Sequence, residues 1–217
     1  QSNFASFLNM LGGRTDLKLA LISHTSGPTS VVLPTTNSNY VQVPIIVGSH
    51  DGMEIAVEVS QSQLAGFFRT DAHRIYIFVT DDDAMIVNET NFLSRIQPTM
   101  TNGGRPTVFG FIGKFNATCN IATIGKAYEI VAQQTGGETF DICAPNWSQN
   151  FNKLTSSVEA IASTEFILNQ IPKAILSVKV DGVVLNPTQY SLLGNKLIIN
   201  KTAVSAQNKQ VVIEYSK

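Results

Sequence analysis

The chain has 217 residues, of which 43% are hydrophobic and only 14% are charged. This composition predicts a globular protein with a weakly charged surface, and a formal net charge of -1 gives no reason to expect a nucleic acid or an anionic membrane as partner. The sequence has no run of 18 apolar residues, so we expect no membrane-spanning helix. It begins with Gln1 in place of Met, which fits a precursor segment that was removed or left out.

Helices and strands alternate through the first two thirds of the chain. Apolar residues at helical spacing predict helices, and short apolar runs bounded by turn residues predict strands. The predicted helices cover 2–11, 53–68, 88–96, 123–137 and 148–164. The predicted strands cover 17–26, 30–34, 74–80, 107–113 and 138–143, with a loop over 35–48. Such alternation predicts an α/β layer fold with a mostly parallel sheet, whose ligands bind at the carboxyl ends of the strands.

The pattern changes after residue 164. Residues 165–217 have no helical period, and apolar runs alternate there with turn signals at Asp181-Gly182, Gly194-Asn195 and Gln207-Asn208. We therefore expect two parts, an α/β domain over 1–164 and a small antiparallel, β-sandwich-like extension over 165–217.

Three adjacent carboxylates, Asp81, Asp82 and Asp83, follow the apolar strand predicted at 74–80. Adjacent acids repel one another, so we expect a neutralising partner at this strand end. Asp81 is a candidate ligand of a divalent cation, and the alternative is a turn or a helix cap. Asp82 and Asp83 are expected to cap the following helix or to face water.

A hydrolase is the enzyme alternative. His24, His50 and Asp81 lie at the ends of predicted elements and could meet in space, with Ser23 or Ser49 as nucleophile. The sequence has no Gly-x-Ser-x-Gly elbow to support this arrangement. We therefore predict that the protein is not an enzyme.

Cys119 and Cys143 are the only cysteines. They are not in a Cys-x-x-Cys pair, which disfavours zinc. Two buried thiols and a single disulfide both remain open from the residues alone.

Several segments together resemble a von Willebrand factor type A domain of the bacterial envelope or secreted type. "IFVTDDDA" is similar to the family's fourth strand, "VFGFIG" to its fifth, and "AYEIVAQQTGGETFDIC" to the following helix and last strand. "CAPNWSQNFNKL" resembles the start of its final helix, and the segment from "FILNQIPK" to the end resembles a C-terminal β extension. The resemblance spans essentially the whole chain through many weak matches.

The resemblance implies a Rossmann-like three-layer fold with a metal-ion-dependent adhesion site. Mg²⁺, or Mn²⁺ or Ca²⁺ in its place, would be bound by Asp81 and by Ser49 and Asp51 in "VGSHDGME". It also implies a Cys119–Cys143 disulfide and hence an oxidising, secreted or cell-envelope location.

The chain departs from this family at its start. The family's Asp-x-Ser-x-Ser motif, which follows its first and central strand, is absent here. Without that strand, the strands predicted at 17–26 and 74–80 have unpaired backbone on their facing edges, which is costly when buried. We expect the strand to be supplied by a separate fragment, an upstream segment or a neighbouring chain.

Two functions follow as expectations. The first is an extracellular or cell-envelope adhesion module that recognises a protein or glycan through the divalent metal. The second is a metal-independent structural subunit or spacer of a surface assembly, completed by a donated strand.

Overall fold

The computed structural model describes residues 7–8, 17–27, 30–33, 36, 38–69, 72–100, 105–204 and 210–217. Most of the helix predicted at 2–11 lies outside these residues, although Phe7 and Leu8 are helical. The turn predicted at Gln207-Asn208 also lies outside them.

The first part of the chain alternates strands and helices, as the sequence predicts. Its strands are β1 (Leu19–Ile22), β2 (Tyr40–Val43), β3 (Ile75–Thr80), β4 (Thr107–Ile112) and β5 (Thr139–Asp141). Its helices are α1 (Gly52–Gln61), α2 (Phe92–Ile96), α3 (Lys126–Thr135) and α4 (Trp147–Thr164). No helix in the described parts of the chain is long and apolar enough to cross a membrane.

Strands β3, β4 and β5 form a parallel sheet in that order, which confirms the mixed α/β class with a parallel sheet. Every residue of β4 is buried, because helices cover both of its faces. On one face Val108 and Ile112 pack with Met53 of α1 and Tyr128 of α3. On the other face Phe109 and Phe111 pack against α4, whose residues there are Trp147, Phe151, Leu154 and Val158.

Two of the predicted assignments in the first part are wrong, and the helix predicted at 53–68 ends already at Gln61. Residues 30–33 are not a strand, and the predicted loop 35–48 contains β2, which pairs in parallel with β1. The side chain of Gln42 explains the exchange. Its amide donates to the carbonyl of Val31 (2.9 Å) and accepts from the N–H of Leu33 (2.9 Å). A side chain of β2 therefore satisfies backbone groups that a strand at 30–34 would pair in a ladder.

Strands β1 and β3 do not pair with each other. The β1–β2 pair and the β3–β4–β5 sheet are separate sheets within the described residues. Helix α1 packs on both, since Met53 and Val57 contact the cluster with Tyr76 and Phe78, whereas Ile55 and Val59 contact the cluster with Val43.

The last quarter of the chain is antiparallel. Its strands are β6 (Glu165–Ile167), β7 (Ala174–Val180), β8 (Val183–Val184), β9 (Tyr190–Leu193), β10 (Lys196–Ile199) and β11 (Val211–Ser216). They form two three-stranded sheets, in the orders β6-β10-β9 and β11-β7-β8, which share one buried cluster. The turns predicted at Asp181-Gly182 and Gly194-Asn195 are present, with positive φ at Asp181, Gly182 and Gly194.

A buried polar cluster joins the extension to the parallel sheet. His73 lies just before β3, with Nδ1 3.1 Å from Oε2 of Glu165 and Nε2 2.9 Å from the hydroxyl of Thr107. Lys196 of β10 donates to the same Glu165 oxygen at 2.9 Å. Burial lowers the pKa of His73 from 6.5 to about 4; Glu165 opposes this shift and Lys196 adds to it. The imidazole is therefore neutral at pH 7.

Mildly acidic pH should weaken the folded state through His73. The folded protein takes up this proton near pH 4 and the unfolded chain near pH 6.5. The contribution of neutral His73 to the free energy of unfolding is thus complete above pH 6.5 and is lost as the pH falls from 6.5 towards 4. At 1.36 kcal/mol per pKa unit, this loss is at most roughly 3 kcal/mol. Urea unfolding of the wild type and of His73→Gln at pH 7.5, 6 and 5 measures this. We expect a smaller pH-dependent loss in the variant, and equal losses in both proteins would contradict the assignment.

Candidate functional site

The carboxyl ends of β2, β3 and β4 and the loops that follow them meet at one edge of the molecule. The loop after β2 reaches β3, because the Thr80 hydroxyl donates to the carbonyl of Ser49 (2.5 Å) and the Met85 N–H to the carbonyl of His50 (3.2 Å). The loop after β4 reaches the same strand end, because the N–H groups of Ala122 and Thr123 donate to the carbonyl of Asp81 at 2.8 and 3.1 Å. The three loops therefore form one continuous surface.

The Asp82 carboxylate lies at the centre of this surface and contacts all three loops. Its Oδ1 accepts hydrogen bonds from the hydroxyl of Thr123 (2.7 Å) and from the N–H of Asp83 (2.8 Å). Its Oδ2 accepts from the hydroxyl of Ser49 (3.0 Å) and is 4.0 Å from Nδ1 of His50. Hydrogen bonds hold the pKa of the Asp82 carboxyl below its ordinary value. The Thr123 hydroxyl contributes most and the Asp83 N–H next, whereas Ser49 and His50 contribute less. Asp82 is accordingly ionised at neutral pH.

Asp83 stabilises a helix that begins more than 40 residues later. Its Oδ1 accepts from the N–H of Ala127 in the first turn of α3 (2.8 Å) and from that of Ala84 (3.0 Å). A carboxylate at a helix N-terminus satisfies an orphan N–H and interacts favourably with the helix dipole. Asp83 is thus a cap, but of α3 and not of the helix that follows it directly in the sequence.

Asp51 and Tyr128 lie beneath the surface. Asp51 is the residue before α1, and its buried Oδ1 accepts no hydrogen bond from the described residues. Tyr128 of α3 is fully buried; this burial raises the pKa of its hydroxyl, and Asp83 and Asp51 raise it further. The tyrosine is therefore neutral and fills the space between the starts of α1 and α3.

The structure brings Ser49 together with Asp82, and not with the predicted ligand Asp81. The side chain of Asp81 is exposed and accepts no hydrogen bond from the described residues. Thr123 was missed because nothing in the sequence relates it to an acid 41 residues earlier; its one signal is its place as the first residue of the helix predicted at 123–137. Tyr128 was missed because an aromatic residue in an amphipathic helix predicts only core.

The oxygen ligands that the described residues provide do not by themselves fit the implied Mg²⁺ site. Mg²⁺ requires close to six oxygens in an octahedron. Two hydroxyls, those of Ser49 and Thr123, meet a single carboxylate here, and both oxygens of that carboxylate already accept hydrogen bonds. No group of three Asp, Glu, His or Cys side chains gathers within the described ranges. The cation remains a prediction that needs ligands from elsewhere.

The two serines that are candidate nucleophiles in the hydrolase alternative donate their hydroxyl groups to acceptors other than a histidine. Ser23 donates to the carbonyl of Val31 (2.5 Å), and Ser49 donates to Asp82. A serine nucleophile instead needs its hydroxyl within reach of a base that takes the proton. His24 contacts Ser26, at 3.3 Å, and His50 faces Asp82. The described contacts thus give no support to the hydrolase arrangement.

Cys119 and Cys143 form a disulfide, which confirms the pairing implied by the resemblance. The bond ties the loop after β4, which carries Thr123, to the segment after β5. Closing a loop of this length stabilises the folded state by about 3 kcal/mol in the chain-entropy account. The disulfide therefore restricts the loop that supplies the main hydrogen bond to Asp82.

Exposed apolar side chains occur on the same three loops. We call six of them the apolar rim; they are Ile46, Val47, Met85, Ile86, Phe115 and Ile124. Phe115 is 78% exposed, Ile46 70% and Met85 66%. Each of the three loops contributes to the rim, and these are the loops that carry Ser49, Asp82 and Thr123. Exposed apolar groups concentrated at one place are a sign of an interaction surface.

Comparisons with protein-family models, with curated proteins and with solved structures find no match to this chain. The family resemblance accordingly remains a prediction, and the function is argued from the surface itself.

Proposed function

We propose that the protein is an extracellular or cell-envelope recognition module that binds a partner at the carboxyl edge of its parallel sheet. The exposed apolar rim on the three loops that Ser49, Asp82 and Thr123 join by hydrogen bonds is the observation that carries this proposal. Leaving large apolar side chains in water is unfavourable, and burying one such side chain fully contributes roughly 1.5–3 kcal/mol. A partner that covers the rim recovers this free energy.

A protein partner fits the surface better than a glycan. Met and aromatic residues are enriched at protein interfaces, whereas the rim offers a sugar few polar groups besides the central one. The Cys119–Cys143 disulfide supports a location outside the reducing cytosol. The predicted Mg²⁺ bridge between the module and its partner is a separate expectation, because it depends on ligands beyond the described ones.

Photo-cross-linking in the cells that make the protein tests this function. A photoreactive phenylalanine analogue replaces Phe115 in one variant and Leu176 in the control; Leu176 is 67% exposed and lies on β7 of the extension. We expect a covalent protein adduct from position 115 and none from position 176, and a weaker adduct when Met85→Ser and Ile86→Ser are added.

Equal adducts from both positions, or none from position 115, would contradict a protein-binding surface. Repeating the experiment with EDTA tests the Mg²⁺ bridge independently, since loss of the adduct on chelation would require a cation.

The separation of the two parallel sheets favours a second function, a structural subunit completed by a donated strand. The N–H of Thr107 donates to the carbonyl of Arg74, so Tyr76, Phe78 and Thr80 turn their backbone groups towards β4. Because these groups alternate along a strand, Ile77 and Val79 turn theirs to the opposite edge. No described strand pairs with that edge.

The free edge of β3 is also apolar. Val79 is 58% exposed and Ile77 37%, although residues of a parallel sheet are normally buried on both faces. On β1, the Leu19 N–H bonds to Asn39 of the neighbouring segment, so Ala20 and Ile22 direct their backbone groups away from β2. A strand from a neighbouring chain that pairs with β3 would satisfy backbone groups and cover apolar side chains at once.

Hydrogen exchange of the isolated chain tests whether the β3 edge is open. We expect the amides of Ile77 and Val79 to exchange about 100-fold or more faster than those of Phe78 and Thr80, because only the latter donate within the sheet. Intact mass first confirms a single species at 23.5 kDa. In the native assembly, slow exchange at all four amides would support the donated strand. Slow exchange of Ile77 and Val79 in the isolated chain would show that the edge is already covered.

A further inference from the structure

The surface formed by the loops after β2, β3 and β4 carries an excess of negative charge. Asp51, Asp81, Asp82 and Asp83 all belong to it. In the described part of the chain, His50 is the only basic side chain that comes within 4.0 Å of any of these carboxylates, and it contacts Asp82 at that limit. Lys114, in the loop after β4, is bound by Glu129 (2.7 Å) and Thr139 (2.5 Å). Apart from His50, the described residues bring no basic side chain to these carboxylates.

The four carboxylates differ in what they offer to a partner. Asp83 is occupied by the N-terminus of α3, and Asp51 is partly buried at the start of α1. Asp82 is held in place by Ser49 and Thr123, with its side chain 20% exposed. Asp81 is exposed, and its carbonyl is fixed by two N–H groups of the β4–α3 loop. Asp81 and Asp82 thus present a positioned negative charge within the apolar rim.

We propose that the surface binds a protein segment that presents a Lys or Arg side chain flanked by apolar side chains. This inference rests on the proposed function and specifies the partner's chemistry. The basic group meets Asp81 and Asp82, and the apolar groups cover rim residues such as Phe115 and Met85. A partner acid bridged by Mg²⁺ would need cation ligands that the described residues do not supply, whereas a basic side chain needs none.

Charge complementarity also separates this partner from other occupants. An anionic membrane would be repelled by the acids at the centre of the rim. A second copy of the chain would bring the same acids against each other if the two rims met face to face. A basic group fixes the partner's register and accelerates encounter, and the attraction weakens as salt screens it.

A displayed library of random 12-residue peptides, selected on the full disulfide-bonded chain in EDTA, tests the proposal. We expect the enriched peptides to combine Lys or Arg with apolar residues. Their binding to Asp81→Lys and to Phe115→Ser should fall at least tenfold, and it should also fall as NaCl is raised from 0.05 to 0.5 M, values chosen to shorten the screening length severalfold. Leu176→Ser, which removes a similarly exposed apolar side chain from the extension, should leave binding unchanged.

The outcomes distinguish a wrong partner chemistry from the absence of a recognition surface. Asp81 and Phe115 are exposed, so both variants should fold, and circular dichroism and intact mass verify this. Enriched acidic peptides that need added Mg²⁺ and lose binding with Phe115→Ser would overturn the basic partner and keep the recognition surface. Peptides that bind Phe115→Ser as well as the wild type, or a library without enrichment, would overturn both.

Discussion

The hydrogen bonds to the Asp82 carboxylate hold the candidate binding surface together. Loops after three different strands meet at this one side chain, through the hydroxyl of Ser49, the hydroxyl of Thr123 and the N–H of Asp83. Hydrogen bonds to a charged acceptor are stronger than neutral ones, and each of these also favours the ionised acid. Two of the acids that follow β3, Asp82 and Asp83, are therefore stabilised by donors from the chain itself, and the loops joined in this way carry the apolar rim.

The surrounding structure restrains the same loops from outside. The Cys119–Cys143 disulfide ties down the loop that carries Thr123, and the hydrogen bond of Asp83 to the first turn of α3 links this helix to the end of β3. Such restraint lowers the entropy cost of ordering loops when a partner binds. The other edge of β3 differs, since Ile77 and Val79 are exposed there and no strand among the described residues pairs with it. The molecule thus combines one organised surface with one edge suited to a further strand.

The sequence predicts the parallel core well, because β3 and β4 are unbroken apolar runs and α4 carries Phe151, Leu154 and Val158 at helical spacing. The sequence does not predict β2 and instead predicts a strand at 30–34. The side chain of Gln42 on β2 bonds to backbone groups about ten positions earlier, so those groups need no neighbouring strand. The sequence also fails to choose among three adjacent acids. Which of them becomes the centre depends on Thr123, and this contact exists only once β4 lies beside β3.

The most direct measurement is the pKa of the Asp82 carboxyl, followed by ¹³C NMR titration in EDTA for the wild type and for Thr123→Val, with Ser49→Ala as a second variant. We expect a wild-type pKa below that of an ordinary aspartate. Thr123→Val should raise it towards the ordinary value, and Ser49→Ala should raise it less, because the Thr123 hydroxyl contributes more than the Ser49 hydroxyl. An ordinary pKa that neither substitution changes would mean that these hydroxyls do not bind Asp82 in solution. The three loops would then lack the centre from which the recognition surface is argued.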